Sequence, residues 1–365
     1  MEKKTINFNP GPAAVPLDVL KIVQAELLDY KGTGISILES SHRAPEYDEI
    51  NEQAMDLIHE LFELGDEYHV LFMTGGASTQ FALIPMNFLT DGQVGAYVDT
   101  GTWSSKALKE GRLFGDTYMA FSSKDEDYRR VPQMGEINIP ENAAYLHMTS
   151  NNTIKGTQFH ELLDTGSVPL ICDMSSDIAS RRRDFNKFSF IYAGAQKNLG
   201  PSGVTLVIVR DDLLAKCQEG LPTMFSYKTY AESKSLHNTP PTFGVYFLKL
   251  VLEWIKGQGG LASIEKINAE KKDLLYNAID EHPDFFRGTV DKDSRSWMNV
   301  TMRLASEESE KEFIAEAKDN GIIGIKGHRS VGGIRFSIYN AMTLDDVEKT
   351  VEFMERFRKK KEGAK

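Results

Sequence analysis

FSFIYAGAQKNLGPSGVTLVIVR, Phe188 to Arg210, is the stretch on which the fold turns. Its opening FSFIYAG is short, apolar and aromatic, and its closing VTLVIVR is almost wholly apolar and β-branched. Runs of this kind, bounded by Gly and Pro, suit strands buried on both faces of a sheet better than a helix. Between them Gln196, Lys197 and Asn198 sit in a frame of Gly194, Gly200, Pro201 and Gly203. A lysine is thereby set on a tight turn between two core strands. Burial of an ammonium is costly, so desolvation favours the neutral, nucleophilic amine. A neutral amine held this way is what Schiff-base chemistry requires. Taken alone, the stretch also suits a lysine that points to solvent from a hairpin, and the rest of the chain has to decide.

The chain has 365 residues, 41% apolar and 26% charged, which is ordinary globular composition and long enough for two domains. A net charge of −11 argues against a general nucleic-acid binder and predicts a cytoplasmic protein. It also requires a local basic pocket for any anionic substrate. Two cysteines, Cys172 and Cys217, are too few for a disulfide scaffold, match no metal spacing and read as packing. MEKKTINFNPGP has no apolar core of a signal peptide, and no stretch approaches a membrane span.

In chain order, Phe8 to Pro16 (FNPGPAAVP) reads as an extended arm on the surface. Helical spacing follows from Leu17 to Tyr30 and from Tyr47 to Leu64, around a polar loop carrying His42 and Arg43. The strand HVLFM (69–73) runs into TGGAST and a helical pattern. In outline this is an anion site, because free N–H groups and the helix dipole favour negative charge there. It is neither a Walker A loop nor a dinucleotide fingerprint. Strand GAYVDT (95–100) is followed by Trp103, where open α/β sheets place their ligands. Strand AAYLHM (143–148) leads to a loop with Thr153, and VPLIC (168–172) ends in Asp173. An Asp closing one strand and a Lys closing the next can converge on one ligand. Arg181, Arg182 and Arg183 read as a solvated turn, and 221–241 as loop. Gly257 to Gly260 is a natural hinge, which predicts an arm over 1–16, a large domain over 17–257 and a small one over 258–365. Beyond it come an alternating strand (296–304), helices (261–278, 306–320, 343–361) and two strands flanking GHRS at 327–330.

AGAQKNLGPSG, together with FNPGPAAVP, SHR, HNTPPTF and GHRSVGGIRFSIYNA, resembles the phosphoserine aminotransferase family of class V, fold-type I enzymes. That resemblance implies an α/β fold: a large domain with a central, mostly parallel seven-stranded sheet between helices, plus a smaller α+β C-terminal domain. It implies pyridoxal 5′-phosphate (PLP) held covalently by Lys197, with Asp173 on the pyridine nitrogen, Trp103 stacked on the ring and Thr153 at its edge. Ala77, Ser78 and Gln196 would bind the cofactor phosphate. Some family members carry a bulkier basic residue at 77–78, which leaves the side-chain part of that contact open. Asn238 and Thr239 resemble the pair that reaches the phosphate in a neighbouring subunit, which implies a homodimer. Arg335 resembles the arginine that forks the α-carboxylate, a bidentate task that lysine does poorly. His42, Arg43, His328 and Arg329 resemble the distal group for a phosphate or γ-carboxylate. No metal is implied.

The implied reaction is a two-stage amino transfer from glutamate to 3-phosphohydroxypyruvate, and in the family also to 3-hydroxy-2-oxo-4-phosphobutanoate. Another class V aminotransferase, such as a serine–glyoxylate type, would not need both His-Arg pairs. A cysteine desulfurase needs a reactive loop cysteine, and Cys172 and Cys217 lie in the wrong settings. A nucleotide-dependent oxidoreductase would need the missing glycine fingerprint.

Overall fold

Residues 5–133 and 135–363 are described by the structure, a computed structural model. Seven strands form its central sheet. Across the sheet they run Tyr68–Met73, Thr205–Arg210, Phe190–Gly194, Leu170–Asp173, Ala143–Thr149, Val94–Asp99, Thr117–Ser122. Only Thr205–Arg210 runs against its neighbours, and every other contact in the sheet is parallel. The sheet is buried on both sides, which is why its strands read as unbroken apolar runs. Val70, Phe72, Ile191, Ala193, Leu206 and Ile208 enter one core, closed by helices Pro45–Phe62 and Thr242–Gly257. Leu71, Met73, Phe190, Tyr192, Val207 and Val209 alternate into the other, closed by helices Gly76–Phe88 and Thr102–Gly111. Strand periodicity thus sorts one sequence between two faces.

A further core gathers around the antiparallel strands Arg287–Gly288, Asn299–Arg303 and Ile334–Ser337, with helices Glu307–Asp319 and Leu344–Gly363. Helix Gly260–Asp280 joins the two regions. Its Leu261 and Ile264 pack with the central sheet, and its Leu275 and Ile279 with the C-terminal core. Ser306 caps helix Glu307–Asp319 by accepting from Ser309 N. Thr343 and Asp346 cap the last helix reciprocally.

Several expectations need correction. The N-terminal arm is not a surface feature. Phe8 is fully buried in the C-terminal core, and Ile6–Asn7 pairs in parallel with Ile322–Ile323. The first helix stops at Glu26, short of Tyr30. Strand Thr117–Ser122 was not foreseen, and the 221–241 loop contains a helix, Tyr227–Glu232. Of the three arginines only Arg182 is solvated. Arg183 pairs with the fully buried Asp177, and Arg181 donates to Phe159 O beside the Trp297 ring. Both cysteines are buried with their thiols pushed up, Cys217 to about 11, as packing residues.

Candidate active site

Six of the seven strands deliver their C-terminal ends to the same edge of the sheet, the place where open α/β sheets bind ligands. A cavity of about 160 Å³ opens there. It is lined by Ala77, Ser78, Trp103, Thr153, Asp173, Gln196 and Lys197, seven of the residues singled out in the sequence.

Each is placed by its local chain. Gly75 and Gly76 take left-handed backbone angles (φ 91° and 63°), so the chain turns sharply from strand Tyr68–Met73 into the next helix. A Cβ on Gly75 would collide with the Thr79 hydroxyl. Gly76 N donates to Thr205 Oγ1, while Ala77 and Ser78 lie in the first helical turn, whose N–H groups have no acceptor within the helix. Trp103 stands in the first turn of its own helix. That turn is braced by Ser104 Oγ, which accepts from Thr100 N and Gly101 N, and by the buried Asp99. Lys106 Nζ lies 4.4 Å from the Trp103 ring centroid.

Lys197 Nζ donates to Thr153 Oγ1 at 2.7 Å. The side chain is half-buried and borders the cavity. Burial lowers its pKa from an ordinary 10.5 to about 8; Asp173 opposes the shift and Arg335 reinforces it. The arm expected on the surface crosses this side chain. Ala13 N donates to Gln196 O, and a Cβ on Gly11 (φ 140°) would reach Lys197 Cγ at 3.3 Å. Asp173 is 4% exposed, and burial raises its carboxyl above the ordinary value. Ser175 N donates to its Oδ1, and the carboxyl lines the cavity.

Arg335 lies on strand Ile334–Ser337 and donates to Thr153 O at 3.2 Å. Thr153 therefore touches both the lysine and the arginine. Arg335 is 4% exposed, makes no ion pair among the described residues and leaves Nε without a partner. A buried guanidinium in that condition calls for an anion. His328 is half-buried on the adjoining loop, with its pKa lowered by burial and by the nearby Arg335, Arg329 and Lys106. Arg329 is exposed.

Seven expected residues stay outside the cavity lining of the single chain: His328, Arg329 and Arg335, placed as just described, and four more. His42 and Arg43 precede helix Pro45–Phe62, and Asn238 and Thr239 are exposed ahead of Pro240. Conversely, Thr149, Asn151, Ser175 and Ser176 line the cavity and were not foreseen. Thr149 closes its strand opposite Asp173 in register, and its hydroxyl is buried without a partner. Its signal was available: it ends an apolar strand just as Asp173 does.

The family model for aminotransferase class-V matches residues 5–350. The chain belongs to that family. A phosphoserine aminotransferase of Niallia circulans is 55% identical over 98% of this chain and 99% of its own length. The structure of phosphoserine aminotransferase from Bacillus circulans subsp. alkalophilus superposes with a TM-score of 0.97 at 55% identity, over 99% of this chain and 100% of that one. A PLP-bound phosphoserine aminotransferase from Trichomonas vaginalis has a TM-score of 0.91 at 34% identity, over 96% and 99% of the two chains. Within the class-V family, then, full-length similarity falls on the phosphoserine aminotransferases. Among the described residues there is no cluster able to hold a metal ion, and no helix is long and apolar enough to cross a membrane.

Proposed function

We propose that the chain transfers the amino group of L-glutamate to 3-phosphohydroxypyruvate, giving O-phospho-L-serine and 2-oxoglutarate, with PLP as cofactor. The observation that carries the reading is the convergence of a depressed-pKa lysine and a buried aspartate on one small cavity, with a buried arginine that has no ion pair among the described residues bound to Thr153 at its edge.

The residues present fit the cofactor. Free amides at Ala77 and Ser78, with Gln196, suit its phosphate, and Asn238 and Thr239 would complete that contact from a second subunit of a cytoplasmic homodimer. The Asp173 carboxyl, which lines the cavity, suits a protonated ring nitrogen, and Trp103 suits the ring face. When bound, PLP supplies an electron sink that acidifies the Cα–H of an attached amino acid.

The chain's own work follows from its geometry. Lys197 would hold the cofactor through its Nζ. Its Nζ, oriented by Thr153 Oγ1, then removes the proton from the substrate's Cα and redelivers it. Arg335 fixes the α-carboxylate, so that Cα faces Nζ. His42, Arg43, His328 and Arg329 receive the far anion, a γ-carboxylate in one half-reaction and a phosphate in the other.

The test is a pair of half-reactions on purified protein. L-Glutamate should shift the visible absorption band, and 3-phosphohydroxypyruvate should restore it with one equivalent of O-phosphoserine. Borohydride should fix the cofactor on the peptide containing Lys197. Label on another lysine, or no spectral response to glutamate, would sink the assignment.

A further inference from the structure

A buried polar seam joins the lysine turn to the segment that follows strand Ile334–Ser337, and the reaction as derived above makes no use of it. After Ser337 the chain turns through Ile338 to Met342. Lys271, fully buried on helix Gly260–Asp280, donates to three backbone carbonyls of that turn: Ile338 O at 3.1 Å, Tyr339 O at 2.9 Å and Met342 O at 2.9 Å. All three ammonium protons are thereby used, and no carboxylate pairs with it among the described residues. Asn340 occupies the middle of the same turn. Its backbone N–H donates to Asn198 Oδ1 at 3.0 Å, its Nδ2 to Ala179 O at 2.8 Å, and its Oδ1 accepts from Asn268 Nδ2 at 2.9 Å. Asn198 in turn donates to Ile178 O, and Asn268 to Ser180 O. Asn198, Asn268 and Asn340 are 5%, 1% and 6% exposed.

The members of this seam adjoin three parts of the candidate site. Asn198 follows Lys197 directly. Ile178 to Ser180 end the turn that begins at Asp173. The Ile338–Met342 turn continues the strand that carries Arg335. Apolar side chains of equal volume would hold these segments together with less desolvation, whereas a fully satisfied polar network fixes one register among them.

We propose that Asn198, Asn268, Asn340 and Lys271 are positioning residues that lock the Arg335 strand against the Lys197 turn. They set the separation of the carboxylate fork from the proton-transferring amine for both substrates. The inference rests on the roles proposed above for Lys197 and Arg335.

The probe is glutarate, a five-carbon dicarboxylate without an amine, with its dissociation constant measured by calorimetry on the cofactor-loaded protein. Asn340→Ala should weaken glutarate about tenfold in the otherwise unaltered protein, and less than about twofold in an Arg335→Lys background. Cofactor retention should be unchanged, and KM for glutamate and for the keto acid should rise together. An equal loss in both backgrounds would reduce the seam to general stability and overturn the proposal, as would no loss in either. If Asn340→Ala does not fold, Asn268→Ala removes one of its two side-chain contacts, that to Asn340 Oδ1, and is read the same way. If Arg335→Lys alone leaves glutarate binding intact, the carboxylate role of Arg335 fails, and the positioning role fails with it.

Discussion

Replacing Lys197 by Met should make the cofactor-free protein more stable near neutral pH, and the gain should vanish in alkali. An unfolded lysine titrates near 10.5, whereas burial brings Lys197 to about 8. The folded state therefore binds the proton more weakly than the unfolded state. Above pH 10.5 both states hold a neutral amine and burial of the charge costs nothing. Below pH 8 both are protonated and the full penalty applies. A fall from 10.5 to about 8 corresponds to about 3 kcal/mol. The attraction of Asp173 already lies within that balance. Met removes the penalty but leaves Thr153 Oγ1 without its 2.7 Å donor, a loss of about 1 kcal/mol. The expected net gain is about 2 kcal/mol at pH 7. Urea unfolding of the two cofactor-free proteins from pH 7 to pH 10.5 reads it directly, since groups common to both cancel in the difference. A variant less stable at pH 7, by an amount that does not change with pH, would refute the argument that burial depresses Lys197.

The distal group should make 3-phosphohydroxypyruvate preferred over hydroxypyruvate by at least about a hundredfold in kcat/KM, because unpaired cations reject the neutral hydroxyl. Arg43→Ala or Arg329→Ala should erode that ratio, and a ratio near one in the unaltered protein would move the function to another class V aminotransferase. Mixing inactive Lys197→Ala with an inactive protein substituted at Asn238 and Thr239 should restore activity by subunit exchange; a fully active monomer would contradict shared sites. Near pH 7.5 a bound phosphate should reverse the depression of His328, so substrate binding should take up protons and weaken as pH rises. Calorimetry in buffers of different ionisation enthalpy should detect the uptake, and its persistence in His328→Gln would rule out that residue as the source.

Most of the sheet was legible because its strands are apolar on both faces, and the 188–210 stretch resolved into Phe190–Gly194 and Thr205–Arg210. Thr117–Ser122 escaped for the opposite reason. It is an edge strand, half-exposed along its length, with Met119 45% exposed, so neither periodicity nor hydrophobicity marks it. Tyr227–Glu232 is too short to show a helical repeat. The arm misled because Pro and Gly exclude regular structure without saying anything about burial. Its partner is Ile322–Ile323, at the far end of the chain, and no local pattern carries that pairing. The same limit applies to Arg183, whose buried partner Asp177 is fixed by tertiary packing. Within the cavity, the strand-end residues Asp173 and Lys197 were legible by position. Thr149 carries the same positional signal without a charge to draw attention to it.

The charge distribution resolves an apparent conflict between the chain and its proposed substrates. A net charge of −11 repels a phosphorylated keto acid at long range, yet with salt at physiological strength that field decays over about 8 Å. Inside that distance a substrate meets a different population. Among the described residues Arg335 is buried without a counter-ion, and Lys106 sits over Trp103. His328 is held towards neutrality by burial and by Arg335, Arg329 and Lys106. Lys197 is likewise shifted towards its neutral form, although Asp173 pulls the other way. On the roles proposed above, the site keeps its strongest permanent charge where a carboxylate is to be fixed and sheds charge where a proton is to move. Arginine serves the first task because it stays ionised even when burial lowers its pKa, as it does here for Arg335. Lysine serves the second because the same burial carries it into the working range. Burial on either side of Thr153 can thus ask opposite things of two cations, and the difference in their ordinary pKa values is enough for both to comply.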